Sequence, residues 1–165
     1  MPQPTLISMP NQVLVRPVQP SDFAGWLPLW EGYNAFYGRK GETALDPAIT
    51  RTTWERFLDP QEPVFALVAQ MHGKLVGLTH FLFHRSTTRI ELTCYLQDLF
   101  TDPDERGRGV GRALIEGVYA RAKSAGIQRV YWHTHETNSP GRQLYDKVAQ
   151  HRGFIVYGHD IGRAA

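Results

Sequence analysis

The chain has 165 residues, of which 42% are hydrophobic, 12% aromatic and 21% charged, with a formal net charge of +2 at pH 7. This size and composition predict one globular domain with a full core and exclude a disordered chain. The near-neutral charge argues against nucleic-acid and membrane partners, and the single cysteine, Cys94, excludes an internal disulfide and favours a reducing compartment, the cytoplasm.

The first third of the chain predicts an arm, a strand and two helices. Residues 1–11 contain three prolines and predict a loose N-terminal arm, without the basic and apolar regions of a signal peptide. A short strand is predicted at 13–15. Ser21 is a candidate cap for a helix whose aromatic residues recur at helical spacing over 23–37. Asp46, which precedes a proline, predicts the start of a second helix.

The rest of the chain predicts a hairpin, a long strand and a strand–helix–strand unit. The predicted elements are strands at 64–70, 75–83 and 90–101, a helix at 110–125, a strand at 129–135, a helix at 140–150 and a strand at 154–157. Hairpins followed by a crossover predict an α/β (α+β) fold in which helices cover a mixed sheet. No linker or repeat interrupts the pattern, so residues 12–165 are predicted to form a single domain.

A glycine-rich turn with arginines joins the long strand to the following helix. It reads Arg106, Gly107, Arg108, Gly109, Val110 and Gly111. Outward-facing backbone N–H groups and a helix start predict a cradle for a phosphate or diphosphate. The spacing fits neither a dinucleotide fingerprint nor a P-loop, because Arg112 and Ala113 follow the last glycine.

The segment that contains this turn resembles the GNAT family of N-acetyltransferases. The resemblance rests on the residues Tyr-Leu-Gln-Asp-Leu-Phe at 95–100, the Asp-Pro pair at 102–103, the turn at 106–111, and Asn138 with Tyr145 seven residues later. Residues 130–138 and 144–148 look closest to the branch of yeast histone and polyamine acetyltransferases. The resemblance implies acetyl-CoA as cosubstrate. It also implies a mixed, mostly antiparallel sheet with a splayed strand pair, flanked by about four helices.

Twelve residues are expected to bind acetyl-CoA, some from their chemistry and the others from the resemblance. The arginines of the turn can form charge-assisted bonds to phosphate oxygens. The resemblance assigns the extended arm of the cofactor to the strand before the turn and to Asn138. The full set is Leu99, Phe100, Thr101, Arg106, Gly107, Arg108, Gly109, Val110, Gly111, Arg112, Asn138 and Tyr145.

The resemblance also implies a general acid, whereas the general base stays open. Tyr145 matches a family tyrosine, and a phenol near the sulfur can protonate the leaving thiolate. Polyamine acetyltransferases with a similar segment carry a glutamate where this chain has Gln97, and an amide cannot act as a base. Asp98, Glu91, His80 and a chain of waters are the alternatives. Gln97 and Asp98 face one pocket only if a bulge interrupts the strand.

The amine acceptor is expected to contact aromatic side chains of the first helix. Tyr33 and Tyr37 are candidates because aromatic faces attract cationic amines. His80 and Gln97 are further candidate substrate-binding residues on the predicted strands. His133 and His135 lack a third ligand at suitable spacing, so no metal is expected.

These observations predict an N-acetyltransferase that moves an acetyl group from acetyl-CoA to a primary amine by direct attack in a ternary complex. The amine is a small amine, a polyamine, an amino acid or a protein lysine. Because of Gln97, the alternative is a sensor that binds acyl-CoA without turnover. Family members often form dimers, so a homodimer is a hypothesis.

Overall fold

The computed structural model describes residues 12–162, and the arm predicted at 1–11 lies outside the described residues. Two compact units divide between His133 and Thr134, while one domain over 12–165 stays a prediction. The first unit contains, in chain order, β1 (Leu14–Pro17), α1 (Phe23–Phe36), α2 (Pro47–Leu58), β2 (Val64–Met71), β3 (Lys74–His84), β4 (Thr93–Thr101), α3 (Val110–Ser124) and β5 (Val130–Tyr131). The second contains α4 (Ser139–Val148).

The five strands form one sheet in the order β1-β2-β3-β4-β5. All neighbouring pairs are antiparallel except β4 and β5, which are parallel and share only two register pairs, Cys94 with Val130 and Tyr95 with Tyr131. The pairing stops there because β5 ends at Tyr131. Within residues 12–162, the structure confirms the predicted mixed, mostly antiparallel sheet with four α-helices, while the splaying of a strand pair stays a prediction.

An aromatic core joins the first two helices to the sheet. Trp26 is fully buried, stacks on Trp30 with 5.7 Å between ring centroids, and lies 4.8 Å from Trp54. Burial of such large rings is the main stabilising contribution at this interface. Helix α1 is thereby held against the sheet, although Pro28 lies inside it.

The strand predicted at 154–157 is wrong. No helix or strand follows Val148 in the described part of the second unit, and the apolar residues there are exposed, Phe154 by 82% and Tyr157 by 89%. The residues have strand propensity, but a strand also needs a neighbour for its backbone hydrogen bonds. Over residues 12–162, none of the helices is long and apolar enough to cross a membrane.

Candidate functional site

The glycine-rich turn has the backbone conformation that its sequence predicts. Gly107 and Gly109 have φ angles of 77° and 80°, in the left-handed region that side chains disfavour. Gly109 is the N-cap of α3 and provides no side-chain cap. The first N–H groups of α3 therefore carry the partial positive charge of a helix start without a side-chain acceptor. Such a terminus can bind an anionic group.

The three arginines of the turn differ in their partners. Arg108 pairs with Glu105 at 3.0 Å, and Arg112 pairs with Glu116 at 3.0 Å. Both arginine side chains are about half exposed, so these pairs contribute little stability and can exchange for a phosphate. Arg106 forms no ion pair within residues 12–162 and lines the cleft described below.

Strand β4 leads into this turn with one edge open. Its last pair with β5 is at Tyr95, so residues 96–101 have β3 on one side and no strand on the other within the first unit. Leu99, Phe100 and Thr101 belong to this open stretch. An extended ligand that carries amides can add to such an edge as a further strand.

A bulge interrupts β4 next to the open edge. In the register with β3, His80 pairs with Asp98 and Phe81 with Leu96, which leaves Gln97 without a partner. Gln97 is exposed and Asp98 is 8% exposed. The buried Thr79 hydroxyl donates to the carbonyl of Asp98 at 2.8 Å, which holds the bulged residue in place. The bulge reverses the side-chain alternation and brings Asp98 to the face covered by α1.

A buried chain of hydrogen bonds orients Asp98. The indole Nε1 of Trp26 donates to Nε2 of His80 at 3.0 Å, and Nδ1 of His80 lies 2.8 Å from Oδ2 of Asp98. Because an indole N–H only donates, Nε2 must be the acceptor and the imidazole proton lies on Nδ1. His80 is 3% exposed and both of its nitrogens form hydrogen bonds, so its imidazole orients Asp98 and has no unoccupied nitrogen facing solvent.

The C-terminal end of α1 supplies two tyrosines beside this carboxylate. Tyr33 is 9% exposed and Tyr37 is 47% exposed, with 5.0 Å between their centroids. Burial, followed by the negative charge of Asp98, raises the pKa of Tyr33. Burial and then Asp98 likewise raise the pKa of Tyr95. These phenols stay protonated at neutral pH and can donate hydrogen bonds.

A cleft of about 430 Å³ lies between α1 and the end of β4. It is lined by Pro28, Leu29, Gly32, Phe36, Phe100, Asp102, Pro103 and Arg106. A Cβ atom at Gly32 would lie 2.8 Å from Cζ of Phe100, so only glycine lets the ring pack at this depth. The cleft adjoins both the open edge of β4 and the glycine-rich turn.

The candidate base Glu91 and the single cysteine, Cys94, lie outside this arrangement. Glu91 precedes β4 and pairs with Arg89 at 3.3 Å, and hydrogen bonds from its own backbone N–H and then from Arg89 lower its pKa. The structure does not bring Glu91 to the Asp98 cluster. Cys94 is fully buried, and burial raises the pKa of its thiol to about 12, so it is an inert core residue.

In the second unit, Asn138 and Tyr145 belong to α4. Asn138 caps the helix by accepting from the N–H of Gly141 at 3.3 Å, and its amide donates to Thr134 at 3.0 Å. Tyr145 lies half-buried in the second turn of the helix. Their contacts with a cofactor stay predictions. Within residues 12–162, no group of three His, Cys, Asp or Glu side chains is arranged to hold a metal ion.

The structure places Arg39 and Trp26 in the candidate site, which the sequence did not predict. Arg39 follows α1 and lies against both tyrosines, with its guanidinium carbon 5.9 Å from the Tyr33 centroid and 5.4 Å from that of Tyr37. The sequence signal was an arginine placed directly after a glycine at the end of an aromatic helix. Trp26 showed no signal beyond core spacing, because its hydrogen bond to His80 joins residues 54 positions apart.

The mixed sheet, the open edge of β4 and the glycine-rich turn before α3 are features of an acyltransferase fold. Comparison with known proteins identifies the family. Residues 26–149 match the model of the acetyltransferase (GNAT) family. The chain is 34% identical over 149 residues to the D-amino-acid N-acetyltransferase HPA3 of Saccharomyces cerevisiae, covering 89% of this chain and 90% of that protein. The protein belongs to the GNAT family and is an acetyltransferase.

Solved structures share the fold at low sequence identity. The ribosomal-protein-alanine N-acetyltransferase of Brucella melitensis has a TM-score of 0.72 at 21% identity, covering 91% of this chain and 99% of that chain. An aminoglycoside acetyltransferase from an uncultured soil sample has a TM-score of 0.73 at 16% identity, with 90% and 97% covered. These likenesses support the fold.

Proposed function

We propose that the protein transfers an acetyl group from acetyl-CoA to a primary amine by direct attack in a ternary complex. One observation carries the proposal: the open edge of β4 at 96–101 runs directly into the glycine-rich turn and the uncapped start of α3. The N–H groups of the turn and Arg106 would bind the diphosphate. The open edge would hold the extended arm, and a backbone N–H near Leu99 would polarise the thioester oxygen.

Asp98 is proposed as the group that binds the acceptor's ammonium and receives its proton. Its carboxylate is held by His80 at 2.8 Å and is the acidic side chain that the bulge places beside the tyrosines. The neutral amine then attacks the thioester carbonyl, and the tetrahedral intermediate collapses to the amide as the C–S bond breaks and the nitrogen loses its second proton to solvent. Tyr145 protonates the departing thiolate and is reprotonated from solvent. Asp98 replaces Gln97, whose amide cannot take a proton.

The acceptor is proposed to be a small primary amine. The family relationship to a D-amino-acid N-acetyltransferase supports an amino acid, and the exposed Tyr37 can border its side chain. A homodimer in the cytoplasm stays a hypothesis, and light scattering that shows a monomer at working concentration would reject the dimer.

The test combines titration calorimetry with acetyl-CoA and an assay of thiol release with a panel of amines. We expect binding and amine-dependent release. Tyr145→Phe should lower kcat about 10²-fold while the Kd for acetyl-CoA stays within about 3-fold, because only the proton donor is lost. Tyr157→Phe is the matched control, since this tyrosine of the same unit is 89% exposed.

Two outcomes contradict the proposal in different ways. Tight binding of acetyl-CoA without thiol release for any amine would favour the sensor. Absence of acetyl-CoA binding would remove the proposed role of the turn.

A further inference from the structure

Arg39 is held in place by a buried asparagine. Its Nε donates to Oδ1 of Asn34 at 2.7 Å, and its backbone N–H donates to the carbonyl of Asn34 at 2.9 Å. Asn34 is 4% exposed and its amide in turn donates to the carbonyl of Trp30 at 2.9 Å. With Tyr33 and Tyr37 against its guanidinium, Arg39 has little freedom left. It is therefore preorganised for recognition.

This fixed guanidinium has no acidic partner among residues 12–162. Arg16, by contrast, pairs with Asp22 at 2.7 Å and Arg108 with Glu105 at 3.0 Å, whereas Arg39, like Arg106, forms no ion pair within that range. The hydrogen bonds of Arg39 use Nε alone, so the donors on its two terminal nitrogens stay available. A guanidinium fork of this kind matches a planar carboxylate.

Asp98 and Arg39 act on the same phenol with opposite charges. After the larger effect of burial, Asp98 raises the pKa of Tyr33, and Arg39 lowers it. The geometry agrees for the arginine, because its guanidinium carbon lies 5.9 Å from the Tyr33 ring centroid. The cluster thus presents an anionic and a cationic group around Tyr33, with an exposed Tyr37 at its border.

Building on the proposed function, we infer that the acceptor is a free α-amino acid, whose carboxylate binds Arg39 while its ammonium binds Asp98. A zwitterion carries both groups on one carbon and satisfies both charges. A polyamine or a protein lysine lacks the carboxylate and leaves the guanidinium unmatched. Recognition of a charged group in this way strongly rejects analogues that lack it.

The experiment compares phenylalanine with phenylalaninamide, each as both enantiomers, and uses spermidine as a third acceptor. The amide replaces the carboxylate and leaves a less basic amine, which chemistry alone would favour. We expect kcat/KM for at least one enantiomer of the acid to exceed that of its amide by about 10-fold or more. Arg39→Met should lower kcat/KM for the acid about 10- to 100-fold and change that of the amide less than about 3-fold.

Two further variants separate recognition from folding. Arg39→Lys keeps the charge without the fork, so we expect an intermediate loss for the acid alone. Arg56→Met removes an exposed arginine of α2 and should leave kcat/KM unchanged for both the acid and the amide. Thermal melting of each variant checks the fold.

The inference is overturned if the wild-type protein acetylates acid and amide equally, or if Arg39→Met lowers both alike at unchanged melting temperature. Absence of thiol release with all three acceptors would instead contradict the proposed function. The acid–amide comparison uses the wild-type protein alone, so it tests recognition of the carboxylate even if Arg39→Met fails to fold.

Discussion

The two sides of the candidate site are built in different ways. On the proposed phosphate side, the turn at 106–111 is mostly exposed. The groups proposed to bind there are backbone N–H groups and arginines, of which Arg108 and Arg112 form only weak surface ion pairs. On the amine side, Asp98 and His80 are buried, and side chains from α1, β3 and β4 hold them through bonds of 2.8 to 3.0 Å.

The difference follows from what each side has to recognise. A diphosphate is the same in every turnover, so a local turn and a helix start suffice to bind it. The amine must be oriented and deprotonated, which requires a carboxylate fixed by residues distant in sequence. We therefore expect substitutions on the two sides to separate cofactor affinity from chemistry.

The largest effect is expected for Asp98→Asn, which removes the proposed proton acceptor. It should lower kcat/KM for the amine about 10²- to 10⁴-fold and leave the Kd for acetyl-CoA within about 3-fold. Gln97→Ala is the control, because this adjacent residue is exposed on the bulge. Steady-state kinetics and calorimetry measure both quantities. Near-normal turnover in Asp98→Asn would end the assignment of the base.

Gly109→Ala tests the phosphate side. At a φ of 80°, alanine is strained by about 1–2 kcal/mol and should distort the start of α3. We expect the KM for acetyl-CoA to rise about 10-fold. Gly73→Ala, at a φ of 75° in the β2–β3 turn, carries the same backbone strain away from the site. If both variants bind acetyl-CoA equally well, the turn does not hold the diphosphate.

Gly32→Ala probes the cleft between α1 and the end of β4. The added methyl group would overlap Phe100, at a cost of about 1–3 kcal/mol, and should raise the KM for the amine several-fold. Gly25→Ala, in the same helix, meets only the flexible end of Leu75 at 3.0 Å. It should be close to neutral in thermal melting. Equal behaviour of the two variants would show that the Phe100 contact is unimportant.

Asp22→Asn tests whether loss of the Arg16–Asp22 ion pair, just before α1, lowers stability without altering catalysis. A hydrogen bond from Arg16 lowers the pKa of Asp22. Its stabilisation is therefore present above the unfolded pKa of about 4 and is lost as pH falls through the folded value. The variant should be about 1–2 kcal/mol less stable at pH 7, with unchanged kcat. In denaturant titrations the free energies of unfolding of the two proteins should converge as pH falls below the folded pKa of Asp22, and a difference that stays constant with pH would contradict this linkage.

The sequence predicted the fold well because its signals are local. The hairpin turn at His72, the cap at Asp46 and the glycines of the phosphate turn each determine backbone conformation within a few residues. The errors came at 129–135, where only Val130–Tyr131 form a strand, and at 154–157, where none does. Both segments have strand propensity, but propensity does not show whether a neighbouring strand is there to pair with.

The amine side was only partly predictable. Asp98, Tyr33 and Tyr37 were candidates, but Gln97 and Asp98 could not be separated without knowing the bulge, which depends on pairing with β3. The bond from Trp26 to His80 and the position of Arg39 against the tyrosines are tertiary contacts. The sequence pattern does not predict these contacts, because Trp26 and His80 are equally compatible with ordinary core positions and Arg39 with an ordinary surface position.

The sealed position of Cys94 simplifies the enzymology. With one cysteine in the chain and that one fully buried, a chromogenic disulfide reagent should meet no competing protein sulfhydryl in the native state. Coenzyme A formed by turnover then gives the fast signal. A slow additional equivalent per chain would report unmasking of the core, so one cuvette follows both catalysis and loss of structure.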